Sequence, residues 1–156
     1  MRDNWNLSLK GASVVLVPYA KKFVEKYHIW MTDPYLQEAT ASEPLSLEEE
    51  YAMQKSWRDD TKKCTFIILA IEGDSTDTLQ ELDSMVGDVN LFMNDYENAF
   101  NAEIEVMIAD PRYRRHGLAS DALKLMIFYG TEQLKLKRFF AKIGENNLAS
   151  IALFKR

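Results

Sequence analysis

Residues 110–123, DPRYRRHGLASDAL, set Arg112, Arg114, Arg115 and His116 beside one glycine, Gly117, in a chain of formal net charge −5. Guanidinium groups are charge-assisted donors suited to phosphate or carboxylate. A glycine lets the backbone approach a ligand with no Cβ in the way, and Ala119 keeps the next turn slim. If a helix starts here, its first N–H groups lack intrahelical acceptors and its dipole favours an anion. Spacing alone leaves two readings open. One is a phosphate cradle; the other is a solvated basic turn in which the glycine only redirects the chain.

A cradle of this kind needs a strand before it and a helix after it. The preceding AEIEVMIA (102–109) alternates, with Ile104, Val106 and Ile108 on one face and Glu103, Glu105 and Met107 on the other. Over 117–135, Leu118, Ala122, Leu125 and Tyr129 recur at helical spacing, and Ala119, Leu123, Met126 and Ile127 form a second apolar side. That pattern predicts a helix buried against a sheet. Upstream, SVVLVPY (13–19) reads as a strand stopped by Pro18. AKKFVEKYHIWMTD (20–33) carries Phe23, Val24, Tyr27, Trp30 and Met31 at helical spacing. A second helix starts at SLEEEYAMQKSW, where Ser46 and Glu49 form a capping-box pattern with acidic residues in the first turn. CTFIILAIE (64–72) and SMVGDVNLFM (84–93) read as strands joined by a polar, linker-like run over 72–84. RFFAKIG (138–144) is a further strand, and NLASIALFKR opens a last helix. The expected order is βααβββαβα, one α/β domain over 1–156 built on a mixed sheet with helices on both faces.

Composition narrows the function classes. With 47% hydrophobic and 28% charged residues the chain is globular rather than disordered. The acidic balance argues against nucleic acid as a partner, since phosphate affinity scales with basic contacts. No apolar run approaches the roughly 20 residues that span a bilayer, and MRDNWNLSLKG lacks the apolar centre of a signal peptide. The expectation is a soluble, cytoplasmic protein that does not meet a membrane. Cys64 is the single cysteine, and with His28 and His116 it makes no metal-ligand cluster, so no metal is expected. Cys64 sits in a strand pattern as a core thiol; His28 lies on an amphipathic helix as a surface or packing residue.

The turn also has a family likeness. RRHGLA has the form Arg/Gln-x-x-Gly-x-Gly/Ala, with Arg114, Gly117 and Ala119 at the fixed positions, and resembles the acetyl-coenzyme A pyrophosphate loop of the GNAT acetyltransferases. Three more stretches resemble the ribosomal-protein N-terminal acetyltransferase branch of that family: AEIEVMIADPRYRRHGLASDALKLM as its strand, loop and helix, VGDVNLF as its Gly-containing third strand, and NNLASIALF with Asn147 and Ser150 as its Asn-x-x-Ser pattern. VVLVPY, TASEPLSLEEEYAMQKSW, KCTFI, MVGDVNLF, EIEVMIA and AKIG are similar to the N-acetyltransferase 9 subfamily, whose members are described as acetylating α/β-tubulin. The resemblance runs from about residue 9 to 156.

It implies the GNAT acyl-CoA N-acyltransferase fold with acetyl-CoA as cosubstrate. Backbone N–H groups of Arg114, Arg115, His116, Gly117, Leu118 and Ala119 would hold the pyrophosphate. The strand at Ile104, Val106 and Ile108 would pair with the pantetheine amides, with Asn147 near that arm and Ser150 near the sulfur. Acetyl would pass to a protein N-terminal amine, by resemblance that of α/β-tubulin, by direct attack on the thioester, in the cytoplasm and in association with microtubules. Glu103 and Glu105 are candidates for the base, with Glu103 preferred because it fits the family position; the alternatives are that both are the solvent face of an alternating strand, or that water is the base. His116 would support anion binding. The tyrosine that serves many relatives as acid in the last helix is replaced by Phe154, leaving Ser150 as substitute or as a plain helix cap. The resemblance also implies two further strands beyond LFKR. It therefore leads us to expect a C-terminally incomplete domain of low stability and activity, with an inactive CoA- or microtubule-binding module as the alternative.

Overall fold

A computed structural model describes residues 4–71 and 81–156. Six strands form one sheet in the order β1 (Leu9–Lys10), β2 (Val14–Pro18), β3 (Lys63–Ala70), β4 (Met85–Phe92), β5 (Asn101–Ile108) and β6 (Arg138–Phe140). The first five pair antiparallel, and β5 pairs parallel with β6 across a helical crossover. The helices are α1 (Val24–Trp30), α2 (Pro34–Ala39), α3 (Leu47–Asp59), α4 (Glu81–Ser84), α5 (Leu118–Glu132) and α6 (Leu148–Phe154).

The sheet is covered on both faces. Phe66, Ile68, Val89, Leu91 and Ile104 meet α5 through Ala122, Met126 and Tyr129. Ile67, Leu69, Met85 and Met107 face Tyr19, Phe23, Tyr27 and the helices α1 to α3. All eight residues of β3 are buried, as expected for a strand enclosed by helices on both sides.

The mixed sheet and its long strands match the sequence expectation, and the differences have local causes. The helix expected over 20–33 begins as a 3-10 turn, Lys21–Phe23, and α1 ends at Trp30. Asp33 then accepts from Tyr35 N at 2.9 Å, with Pro34 at the first helical position, and this start signal opens α2, a short helix to which the sequence reading assigned no element. Strand β1 has two residues, too short to show a pattern. Strand β6 stops at Phe140 rather than at 144. Of the polar run over 72–84, residues 72–80 lie outside the described residues, as does the end of the strand expected to reach 72; 81–84 form α4. The expectation of a helix apolar nearly all round needs correcting. In α5 the sheet takes Leu118, Ala122, Leu123, Met126 and Tyr129, while Ile127 and Phe128 are exposed, the latter by 64%.

Helix α3 has the expected capping box. Glu49 N donates to Ser46 Oγ at 3.2 Å, and Ser46 N donates to Glu49 Oε2 at 2.7 Å. Ser46→Ala should cost about 1 kcal/mol, a fall of roughly 2–4 °C in Tm for a chain of this size, read by thermal circular dichroism.

Two features of the sheet shape the site. Between the pairs Ile68↔Gly87 and Leu69↔Met85, Val86 is an extra residue in β4, a bulge. The Val86 carbonyl accepts from Ala109 N at 2.8 Å, which holds the end of β5 at the bulge. In addition, β5 and β6 pair only at Asn101↔Arg138, Ala102↔Phe139 and Glu103↔Phe140. Beyond Glu103, the edge of β5 that faces β6 has no strand partner.

Candidate active site

Directly after β5 comes the basic turn. Asp110 caps a 3-10 turn, Pro111–Tyr113, by accepting from Arg112 N at 3.0 Å. The same carboxylate takes the Arg112 side chain, with Nη2 2.7 Å from Oδ2, and this hydrogen bonding holds the Asp110 carboxyl below its ordinary range. Arg114 also turns inward. Its Nε donates to Ile108 O at 3.0 Å and Nη2 to Ala109 O at 3.1 Å, and its guanidinium lies 5.1 Å from the Tyr35 ring of α2. Its own N–H is directed at Pro111 O, 3.3 Å away. Arg114 thus clamps the turn to the strand end, and Arg115, His116 and Gly117, next to the helix start, are exposed.

Arg115 and Gly117 both have positive φ, 64° and 81°, whereas Arg114 is at −71° and His116 is not among the positive-φ residues. Alternation of this sort turns successive N–H groups toward one side, forming a concavity for an anion. Gly117 is the N-cap of α5 and brings no capping side chain; the first bond of the helix is Asp121 N to Gly117 O at 3.0 Å. A Cβ built on Gly117 would meet nothing within 4 Å, so the space above the helix start is open. Asp121 fixes the helix in place by accepting from Ser13 N at 2.7 Å and Ser13 Oγ at 3.0 Å.

On the opposite face of β5, Glu103 forms an ion pair with Lys142 at 2.9 Å, its side chain only 16% exposed. Glu105, two residues on, is exposed, and among the described residues it has no hydrogen bond or ion pair. Protein packed around its carboxyl and then the Glu103 carboxylate raise its pKa.

Behind these glutamates lies a buried polar network that the sequence reading missed. Lys63 Nζ donates to Asn90 Oδ1 at 3.0 Å and lies 3.9 Å from the Trp57 ring centroid and 3.8 Å from that of Phe92. Thr65 Oγ1 donates to the same Asn90 oxygen at 2.6 Å, and Asn90 Nδ2 donates to Asp88 Oδ2 at 2.9 Å. Tyr27 OH donates to Asp88 Oδ2 at 3.3 Å. Burial raises the Asp88 carboxyl and lowers the Lys63 ammonium to about 8. The available signal was Asp-x-Asn in MVGDVNLF and Lys-x-Thr in KCTFI, polar residues at a spacing of two inside otherwise apolar strands.

This network makes a prediction about stability. Lys63 is depressed on folding, so from pH about 8 up to the ordinary lysine value of 10.5 the unfolded chain binds more protons and stability rises with pH. Tyr27, raised by burial above its ordinary 10.0, reverses the trend above that pH. Urea unfolding between pH 8 and 10 should show a gain on the order of 2 kcal/mol that Lys63→Met abolishes.

At the other end of the site, Asn147 caps α6 by accepting from Ser150 N at 3.1 Å. Asn147, not Ser150, is therefore the helix cap. Phe154 packs against the core that α5 shares with the sheet. Cys64 is buried, and His28 Nδ1 lies 3.1 Å from the buried Glu50. Among the described residues no group of His, Cys, Asp or Glu is placed to hold a metal, and no helix is long and apolar enough to cross a membrane.

A strand that loses its parallel neighbour, followed by a basic turn and a helix start with no capping side chain, sets an open concavity beside an open strand edge. Residues 13–156 match the acetyltransferase (GNAT) domain family. The chain is a GNAT acetyltransferase. It is 47% identical over 156 residues to an N-acetyltransferase 9-like protein of Nematostella vectensis, covering 100% of this chain and 79% of that protein. It is 50% identical over 158 residues to the alpha/beta-tubulin-N-acetyltransferase 9 of Homo sapiens, covering 100% of this chain and 76% of that protein. Within the GNAT acetyltransferases it therefore falls in the N-acetyltransferase 9 group. The fold also matches a solved ribosomal alpha-N-protein acetyltransferase in complex with coenzyme A, with TM-score 0.76 at 16% identity over 96% of this chain and 82% of that one.

Proposed function

We propose that this acetyltransferase moves the acetyl group of acetyl-CoA to the α-amine at a protein N-terminus, with α/β-tubulin as the acceptor. The observation that carries this reading is the open edge of β5 beyond Glu103, lying between the Gly117 cradle at one end and the Glu103–Glu105 face on the other side. In this reading the N–H groups of Arg115, His116, Gly117, Leu118 and Ala119 receive the pyrophosphate, with Arg114 holding the loop to the strand. The edge at Ile104, Val106 and Ile108 takes the pantetheine amides, and Asn147 and Ser150 border the arm from α6.

Acetyl-CoA supplies an activated thioester carbonyl. The chain has to orient it, accept a proton from the incoming ammonium, and leave the neutral amine in line for direct attack. Proton acceptance falls to the Glu103–Glu105 pair. Ser150, whose N–H is tied to Asn147, has a hydroxyl available to the departing sulfur. The acceptor is argued from the human relative, named for alpha/beta-tubulin, and from the alpha-N-protein acetyltransferase of like fold. Such an acceptor places the activity in the cytoplasm, at or near microtubules.

The experiment is an acceptor panel assayed with acetyl-CoA: a tubulin N-terminal peptide, the same peptide blocked at its α-amine, and a lysine-containing peptide with a blocked N-terminus. Acetylation of the free α-amine alone is expected; preferential acetylation of the lysine side chain would refute the acceptor assignment.

A further inference from the structure

We propose that Glu105, rather than Glu103, takes the proton of the acceptor ammonium, and that buried Lys63, on the same side of the sheet two strands away, tunes it by its charge. This rests on the acetyl-transfer reading above and divides the labour within its carboxylate pair.

Three observations carry it. First, the two carboxylates differ in commitment. Glu103 is held by Lys142 at 2.9 Å and is largely covered, whereas Glu105 has no ion pair or hydrogen bond among the described residues. Second, Glu103 sits at the last rung that β5 shares with β6, and Glu105 sits past it, in the stretch whose edge is open. An amine approaching a thioester laid along that edge meets Glu105 first. Third, the sheet register sets Glu105 beside Asn90 and Asn90 beside Thr65, a single rung across three strands. Directly opposed side chains of this kind lie in contact range. Asn90 cannot swing out to bind Glu105, because its Oδ1 accepts from Lys63 and Thr65 and its Nδ2 donates to Asp88. The network gives Glu105 a fixed polar floor while leaving its oxygens free.

The charges that face Glu105 come from every element around it: Glu103 on its own strand, Lys142 beyond β6, Asp88 on β4 and Lys63 on β3. Asp88 is in turn faced by Tyr27 of α1, and Glu50 of α3 by His28 of α1. Loss of water around the carboxyl where protein packs beside it is the largest influence and raises the Glu105 carboxyl, Glu103 and Asp88 raise it further, and Lys63 and Lys142 lower it. A base that works near neutral pH needs such an upward shift, limited by a nearby cation.

The step balances without a co-reactant. The acceptor ammonium gives one proton to the Glu105 carboxylate, and the neutral amine's lone pair forms the N–C bond at the thioester carbonyl. The C–S bond breaks with its electron pair on sulfur. The second amine proton leaves nitrogen for that sulfur, and Glu105 returns its proton to solvent.

The test measures kcat/KM against pH for an α-amine peptide, with acetyl-CoA affinity by calorimetry and carboxyl titration by ¹³C NMR on the ligand-free chain. Glu105→Gln should lower kcat about 100-fold or more, erase the acidic limb, and remove one carboxyl titration raised above the ordinary glutamate range, with cofactor affinity unchanged. Glu103→Gln should keep the limb and move it to lower pH, because a like charge next to Glu105 is lost. Lys63→Met should move the limb to higher pH, because a cation is lost, and Lys63→Arg should restore it. A purely structural role for Lys63 would lower Tm and leave the limb in place, which would overturn its part. A Glu105→Gln variant that keeps the limb, with Glu103→Gln erasing it, would overturn the assignment of the base and leave acetyl transfer intact. No turnover by the unmodified chain with cofactor bound would instead remove the acetyl-transfer reading, and this assignment with it.

Discussion

Gly87→Ala should unfold this chain at markedly lower temperature, although it adds a single methyl group. A Cβ at Gly87 would lie 1.9 Å from the Met107 carbonyl oxygen and 2.9 Å from its carbon, both backbone atoms of the neighbouring strand. A flexible side chain could swing aside; a strand inside a covered sheet cannot. The contact sits next to the Val86 bulge, where the Val86 carbonyl already holds Ala109 N, so moving β5 away breaks the bond that ends the strand. Overpacking a well-filled interior costs roughly 1–3 kcal/mol and sometimes more, and with backbone on the receiving side about 3 kcal/mol or more is expected. For a chain of this size that is a fall of about 10 °C in Tm, from a total stability of only about 5–15 kcal/mol. Gly144→Ala is the control, since a Cβ there meets nothing within 4 Å, and it should leave Tm unchanged. A Gly87→Ala variant melting within 2 °C of the parent (roughly half a kcal/mol) would contradict the close approach of β4 and β5.

Gly117→Asp should have the opposite profile, with the fold kept and cofactor binding lost. The Cβ has open space around it, so no packing is disturbed. The left-handed φ of 81° is one that aspartate tolerates better than most residues, at about 1 kcal/mol. The new carboxylate, however, stands over the free N–H groups of α5 where the pyrophosphate would rest. It both fills the cradle and repels the anion, so coenzyme A affinity should fall about 100-fold or more, by the close-range cost of like charges. Gly117→Asn separates the two causes: it brings the same bulk without the charge and should bind with intermediate affinity. Coenzyme A affinity within twofold of the parent in Gly117→Asp would remove the loop from the binding site.

Local chemistry made much of this architecture readable. The capping box at Ser46 and Glu49, the alternation through Ile104, Val106 and Ile108, and the glycine before Leu118 are each set by neighbours in sequence, and each stands where its pattern put it. The start signal at Asp33 and Pro34 was also written locally, but the six-residue helix that it opens is too short to show a periodic pattern. What could not be read depends on partners far along the chain. That Arg114 turns to the carbonyls of Ile108 and Ala109, and that Glu103 is paired with Lys142, follows only once the loop has folded back and β6 has docked. The Lys63, Thr65, Asp88 and Asn90 network needs the register of two strands distant in sequence, and a one-residue slip would point the slipped strand's members the other way. For α5 the pattern overstated burial, because Ile127 and Phe128 face away from the sheet and no described element covers them.

In the proposed reading the open edge of β5 and the Gly117 turn serve direct acetyl transfer to a protein α-amine. Intact mass spectrometry tests it when the chain is incubated with acetyl-CoA, first alone and then with a tubulin N-terminal peptide. No acetyl adduct on the chain is expected in the first case, and in the second one acetyl group on the peptide's α-amine for each coenzyme A released. An unmodified peptide in the presence of bound acetyl-CoA, or an acetyl group that forms on the chain and then passes to the peptide, would contradict it.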